Sequence, residues 1–364
     1  MSDNLRVMIM AGGTGGHVFP ALAVAEHLRT ADARISWLGT RRGIESELVP
    51  SQGIDINYMD IEGIRGRGVG ALLKAPILLW RSIRQALSVL AEFKPQVVLG
   101  MGGFASGPGA VAARLKGIPV VIHEQNSVAG TTNRLSSRIA TRVMQGFPDT
   151  LKGGEWCGNP VRPAIANLAP PQKRLAEREG ATKLLILGGS RGALAINSML
   201  PKALARIDSS VRPEVIHQTG KAHLQATIND YQKLGLNVKN GKINVVAFID
   251  GMEDAYGWAD FVICRAGALT VAELTSAGLG SLLIPFPFAI DDHQTSNGQL
   301  LVDQGAATML QQSQLTPEIL ANEINSICNR PKQRLNMAMC ARELAKNDAA
   351  QAVARVCLEV ANGQ

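Results

Sequence analysis

Short apolar runs alternate with amphipathic stretches from the start of the chain. RVMIM (6–10), RISWLG (34–39), VVLGMG (97–102), PVVIHE (119–124) and RVMQG (142–146) predict strands. ALAVAEHLRT and GPGAVAARLKG, lying between them, carry helical spacing. The series restarts at KLLILGG (183–189) and runs through EVIHQTG (214–220), INVVAFI (243–249), DFVICRAG (260–267) and SLLIPFP (281–287). Between the two series lies NPVRPAIANLAPPQKR, whose prolines and polar residues read as a linker. After about residue 315 the pattern turns helical, ending in ARELAKNDAAQAVARVCLEVANG. Such alternation predicts an α/β chain of two Rossmann-like domains, each a parallel sheet with helices on both faces.

Two glycine-rich turns directly follow apolar runs: VMIMAGGTGGH (7–17) and LLILGGSRGA (184–193). Glycine there permits unusual backbone angles and close approach of a bulky ligand. A helix that follows offers unpaired N–H groups and a positive dipole end to an anion. Open parallel sheets bind ligands at the carboxyl ends of their strands, where these turns fall. Two such turns predict two nucleotide-binding-like domains facing a cleft.

The 364 residues are enough for two cores, and 46% hydrophobic with 18% charged residues is ordinary for a globular protein. Aromatic residues make up only 4%, which offers no stacking platform and argues against a nucleic-acid partner. The net charge of +7 suits an anionic substrate, an anionic membrane surface, or simply a solubilising surface. Cys157, Cys264, Cys328, Cys340 and Cys357 form no CxxC and no zinc spacing, as expected of reduced thiols in the cytosol. VMIMA is too short for a signal-peptide core, and no run approaches the roughly 20 apolar residues that span a bilayer. A soluble or peripheral protein is expected.

The first turn lacks the lysine of a GxxxxGK[ST] loop, and Val18 stands where a dinucleotide fingerprint needs glycine. RISWLGT also ends without the acidic residue that would hold an adenosine ribose. ATP hydrolysis and NAD chemistry are therefore disfavoured. His17 stands at a helix start inside the glycine loop, either as a base in the cleft or as a filler of the turn. In ICRAGALTVAE (263–273), Glu273 lies a little over one turn inside a helix, where it can accept hydrogen bonds from ribose hydroxyls. The loop amides before it can hold phosphate. Asp291, Asp292, His293, Gln294 and Asn297 follow the next strand; amides beside carboxylates read sugar hydroxyls, and no further ligands converge to favour a metal site.

GGTGGHVFPALAVA, MGGFASGPGAVAA, HEQNSVAGTTN, GNPVR, GGSRGALAIN, RAGALTVAEL and IPFPFAIDDHQTSN occur in this order over essentially the whole chain. Together they resemble the MurG family of glycosyltransferases, which add N-acetylglucosamine to lipid I in peptidoglycan synthesis. One departure is GGSRG, where the family usually has GGSQG; Arg191 adds charge beside Ser190. The resemblance implies the GT-B fold, with residues 1–161 as the acceptor and membrane-facing domain. Residues 162–341 would be the UDP-sugar domain, and a C-terminal helix at about 342–364 would pack back on the first. Donor UDP-N-acetylglucosamine would be held by Ile249 at uracil, Glu273 at ribose, and Ser190 with the turn Ala268, Leu269, Thr270, Val271, Ala272 at diphosphate. Gln294 and Asn297 would read the sugar, and Arg162 and Asn126 would complete the cleft. Thr14, Gly15 and Gly16 would face a diphosphate.

The implied reaction inverts the anomeric carbon, so one base suffices, with His17 as the first candidate and Glu124 as the second. No cofactor or catalytic metal is expected, because loop amides and helix ends can stabilise the leaving diphosphate. The acceptor is a polyprenyl-diphosphate-linked muramyl peptide, which places the enzyme peripherally on the cytoplasmic face of the bacterial inner membrane. There, proteins of cell-wall synthesis would be further partners. GALLKAPILLWRSIRQAL (70–87), with Leu72, Leu73, Ile77, Leu79 and Trp80 beside Lys74, Arg81 and Arg84, fits an interfacial helix on anionic lipid, and also a core-facing helix with a basic outer face. Arg65 and Arg67 precede it. A UDP-N-acetylglucosamine 2-epimerase is the runner-up, and a sugar-nucleotide sensor without turnover is the non-enzymatic alternative.

Overall fold

Apolar residues buried on both faces give central strands that pair in parallel, and two sheets of this kind organise the chain. The computed structural model describes residues 5–61, 69–176, 178–189, 192–238 and 242–363, with the backbone only for 69–74. Ser190, Arg191, Arg65, Arg67 and the side chains of Leu72, Leu73 and Lys74 lie outside the described residues. One compact unit comprises residues 1–162 and 346–364, and the other comprises 163–345.

The first unit holds strands β1 (Arg6–Met10), β2 (Arg34–Gly39), β3 (Asp55–Tyr58), β4 (Val97–Gly100), β5 (Val120–Glu124), β6 (Arg142–Gln145) and β7 (Glu155–Trp156). Their order is β3-β2-β1-β4-β5-β6-β7, and all described pairings are parallel. Side chains alternate across a strand, so β1 feeds two cores. Val7 and Ile9 pack with Val18, Val24 and Leu28 of the helix Gly15–Thr30 and with Val353 and Cys357 of the helix Ala349–Ala361. Met8 and Met10 face the other way, onto Ala86 and Leu90 of Val69–Phe93 and Ala110 and Ala113 of Ser106–Leu115.

The second unit holds β8 (Lys183–Leu187), β9 (Glu214–Gln218), β10 (Ile243–Val246), β11 (Phe261–Cys264), β12 (Ser281–Leu283) and β13 (Ala307–Met309), in the order β10-β9-β8-β11-β12-β13. In each sheet the chain builds outward from its first strand and then returns to that strand's other side. The switch points lie between β1 and β4 and between β8 and β11, where open α/β sheets leave a crevice. Both glycine loops end a switch-point strand.

The sequence pattern runs VVLGMG, DFVICRAG and SLLIPFP past the ends of their strands, because the glycines and prolines after Gly100, Cys264 and Leu283 turn the chain into loops. β3, β7 and β13 carry no clear apolar run. All three are short strands at an edge of their sheet, with partly or fully exposed residues. The linker segment itself contains two short helices, Pro163–Ala166 and Pro171–Leu175.

Candidate active site

The first glycine loop is held from beneath by a buried carboxylate. Glu45 is fully buried; its Oε2 accepts from the Gly13 amide at 2.9 Å, and its Oε1 accepts from the Thr40 amide at 2.9 Å and the Thr40 hydroxyl at 2.7 Å. A Cβ on Gly12 or Gly43 would strike this carboxylate, so both positions need hydrogen there. The loop after β4 presses on the same place. A Cβ on Gly103 would collide with the Gly12 backbone, and Ser106 Oγ bonds to the Met10 carbonyl at 2.6 Å. Gly13 (φ 91°) then turns the chain, and Thr14 enters the helix with no side-chain cap, leaving exposed Thr14 and Gly16 and half-buried Gly15 at its open end.

His17, half-buried in the first turn of that helix, joins a chain of hydrogen bonds. Its Nδ1 lies 2.9 Å from Gln125 Oε1; Gln125 Nε2 lies 3.1 Å from His123 Nδ1; His123 Nε2 lies 2.9 Å from the Gly158 carbonyl. A Cβ on Gly102 would press on the His17 ring, so the second loop also fixes its plane. Complete burial pulls His123 down to about 4, which keeps it neutral.

Glu124 is placed differently from a free base. It is 1% exposed and accepts from the Asn126 amide at 2.9 Å, Asn126 Nδ2 at 3.3 Å, the Gly130 amide at 3.1 Å and Asn133 Nδ2 at 3.0 Å. With four donors on two oxygens, the carboxylate folds the 124–133 loop, and a proton arriving there would cost those bonds. Asn126 and Arg162 are half-buried.

In the second unit, the loop after β8 hangs on Gln218, whose Oε1 accepts from the Gly189 amide at 3.0 Å and whose Nε2 donates to the Gly189 carbonyl at 3.1 Å. Asn197 ties the next helix to the Thr219 carbonyl at 2.9 Å and to His217 at 3.1 Å; burial pulls His217 down to about 3. After β11, the helix Ala268–Ala277 begins at Gly267 with no side-chain cap, which directs the amides of Ala268, Leu269 and Thr270 toward the loop. Val271 is buried and Ala272 half-buried along that helix. Glu273, also half-buried, accepts from the Tyr256 hydroxyl at 3.0 Å. Ile249 lies half-buried in the loop after β10.

Gln294 Oε1 accepts from the Phe286 amide at 2.9 Å, which pins the 285–294 loop. Arg265 binds the same loop through the Ile284 and Pro285 carbonyls, each at 2.9 Å, and desolvation lowers its pKa. Asn297 is fully buried and donates to the Ala266 carbonyl at 3.2 Å. That bond shapes the 265–268 turn. Asp291 and Asp292 adopt positive φ at the tip, and Asp292 accepts from Thr295 Oγ1 at 2.8 Å. Among the described residues, no group of three or more His, Cys, Asp or Glu is placed to hold a metal ion.

Glu45, Gln125, His123, Tyr256 and Arg265 went unread as site residues. The signals were an acidic residue at the start of the helix Glu45–Ser51 that follows β2 and polar residues ending or following apolar strands (His123, Gln125, Arg265).

Residues 7–145 match the glycosyltransferase family 28 N-terminal domain, and residues 183–354 match the family 28 C-terminal domain. The chain is 48% identical over 355 residues to a protein of Dechloromonas aromatica, across 98% of this chain and 99% of that one. It is 51% identical to one of Cellvibrio japonicus, across 99% of both. Both relatives are named UDP-N-acetylglucosamine–N-acetylmuramyl-(pentapeptide) pyrophosphoryl-undecaprenol N-acetylglucosamine transferase. The crystal structure of Acinetobacter baumannii MurG superposes with a TM-score of 0.84 at 40% identity, covering 98% of this chain and 99% of that one.

The chain belongs to the MurG family of glycosyltransferases. Its two parallel α/β units have the GT-B architecture of that family. A UDP-N-acetylglucosamine 2-epimerase from Neisseria meningitidis, at 12% identity and a TM-score of 0.66, shares the fold alone. The MurG-family blocks on this chain therefore fall on the loops just described: GGTGGH over Glu45, HEQN along the hydrogen-bond chain, and RAGALTVAEL on the uncapped helix.

Proposed function

We propose that this protein transfers N-acetylglucosamine from UDP-N-acetylglucosamine to the 4-hydroxyl of the N-acetylmuramyl unit of lipid I, yielding lipid II. The names of its full-length relatives support the substrates. The observation that carries the chemistry is the His17 ring, held through Nδ1 by Gln125 at an open helix start. As the acceptor oxygen attacks the anomeric carbon, the bond from that carbon to the UDP phosphate oxygen breaks, and the electron pair leaves with UDP. His17 Nε2 takes the hydroxyl proton and later gives it to water. Attack in line converts the α-linked donor into a β-1,4-linked product. Ser190 and the uncapped amides of Ala268, Leu269 and Thr270 hold the diphosphate, Glu273 the ribose, Ile249 the uracil, and the Gln294 amide nitrogen the sugar.

The apolar residues Ile77, Leu78, Leu79 and Trp80 are 68%, 41%, 45% and 58% exposed on the helix Val69–Phe93, while Ala86 and Leu90 of that helix are buried in the core. Arg84 lies over Trp80 at 4.9 Å, and Arg81, next in the chain, pairs with Asp60 at 3.4 Å. We infer that this end of the helix rests on an anionic membrane surface, where the polyprenyl acceptor resides. No helix of the described residues is long and apolar enough to cross a membrane.

The test is UDP release from UDP-N-acetylglucosamine with and without a lipid I analogue. Release that requires the acceptor is expected. Formation of an epimer without acceptor would overturn the reading in favour of an epimerase, and donor binding without turnover would favour a sensor.

A further inference from the structure

His17 has two ring nitrogens, and only one can hold a lone pair toward a substrate when the other carries hydrogen. Which one is decided two residues away, by groups whose hydrogen positions follow from fixed partners. The Gly158 carbonyl can only accept, so His123 Nε2, at 2.9 Å, must carry the hydrogen. His123 is neutral, since burial holds it at about 4, so its Nδ1 carries a lone pair. Gln125 therefore turns its amide nitrogen toward His123 Nδ1 at 3.1 Å. The same nitrogen donates to the His123 carbonyl at 3.1 Å; a flipped amide would set two acceptor oxygens against each other there. Asn159 Nδ2 holds the Gln125 carbonyl at 2.9 Å, so the backbone of this residue is fixed as well. Gln125 Oε1 is thus left facing His17 Nδ1 at 2.9 Å as an acceptor.

We propose that Gln125 and His123 are positioning residues that lock His17 in the Nδ1–H tautomer, so that Nε2 always presents its lone pair. Free imidazole side chains favour the opposite tautomer, so this relay sets a form the solvent would not. Gln125 is 2% exposed and His123 fully buried, so neither need touch substrate; both act through His17. The tautomer stands on the hydrogen-bond geometry together with a neutral His123, whereas its value for catalysis rests on the reading of His17 as the base.

The test is a long-range proton–nitrogen correlation spectrum of the wild-type protein labelled with ¹⁵N-histidine. It contains six histidines, and His17 is assigned by its loss in His17→Ala. His17 should show Nδ1–H with an unprotonated Nε2. An Nε2–H tautomer in the wild-type spectrum overturns the relay even if His17→Ala is inactive. Conversely, normal turnover of His17→Ala beside the Nδ1–H spectrum leaves the relay standing and removes the base.

Two substitutions separate positioning from packing. Gln125→Leu removes the acceptor and should give mixed tautomers and a kcat about 10- to 100-fold lower, part of the roughly 10²–10⁴-fold a general base supplies. Gln125→Met, like leucine, fills the space without an acceptor and should give the same mixed tautomers and lowered kcat. If Gln125 served packing alone, both apolar variants would keep the Nδ1–H tautomer and near wild-type turnover, and that result would overturn the proposal.

Discussion

Glu45 Oε2 and the Gly13 amide are 2.9 Å apart, although 32 positions separate the two residues in the chain. A buried anion thereby holds the glycine loop that carries His17. Glu45→Ala would leave the Gly13 and Thr40 amides without their acceptor. Loss of such partners costs about 1–3 kcal/mol for each buried group, so the two amides together should cost the first unit roughly 2–6 kcal/mol of stability. Urea denaturation followed by Trp37 fluorescence would measure it; an unchanged midpoint would show that the loop holds itself.

Glu273 and Tyr256 pose a question of affinity. If the carboxylate takes the ribose hydroxyls, Glu273→Ala should raise the UDP dissociation constant by at least about tenfold, as expected for charge-assisted hydrogen bonds of about 1.5–3 kcal/mol. Tyr256→Phe, which removes one donor from the carboxylate, should raise it by a smaller factor. Calorimetric titration with UDP reads both. Equal affinity in the alanine variant would separate Glu273 from the nucleotide.

The fold class was legible because buried central strands announce themselves. β1 and β2 span RVMIM and RISWLG, the same residues that the apolar pattern marks. β3, Asp55–Tyr58, alternates polar and apolar residues at a sheet edge and gave no such signal. At the site, GGTGGH announces an anion-friendly turn, yet nothing in its neighbourhood shows that Glu45 folds beneath it. HEQN drew attention to its most acidic member, Glu124. Only the geometry reveals that four donors consume that carboxylate, while the two residues beside it, His123 and Gln125, reach His17. Long-range hydrogen-bond partners are a property of the topology, and local sequence does not encode them legibly.

The two buried histidines make stability depend on pH. Folding lowers His123 from 6.5 to about 4 and His217 from 6.5 to about 3, so the unfolded chain binds more protons in between. Stability is therefore full above about pH 6.5 and falls as the pH drops toward these values, by up to about 1.4 kcal/mol per pH unit for each histidine. One lies in each unit, so hydrogen exchange at pH 7, 6 and 5 should show both units weakening. Equal stability at pH 7, 6 and 5 would contradict this.

At the membrane, flotation with anionic and neutral vesicles should favour the anionic ones and weaken with salt. Replacing Leu79 and Trp80 by serine should release the protein from vesicles while leaving turnover on a water-soluble acceptor near normal. Binding that ignores both lipid charge and the substitution would assign the exposed apolar residues another role.

Whether His17 removes the acceptor proton is decided by His17→Ala, with turnover and UDP affinity measured on the same preparation. The expected result is a kcat lower by about 10²–10⁴-fold with UDP affinity within about twofold of wild type. Near-normal turnover with intact UDP binding would show that another group takes the proton.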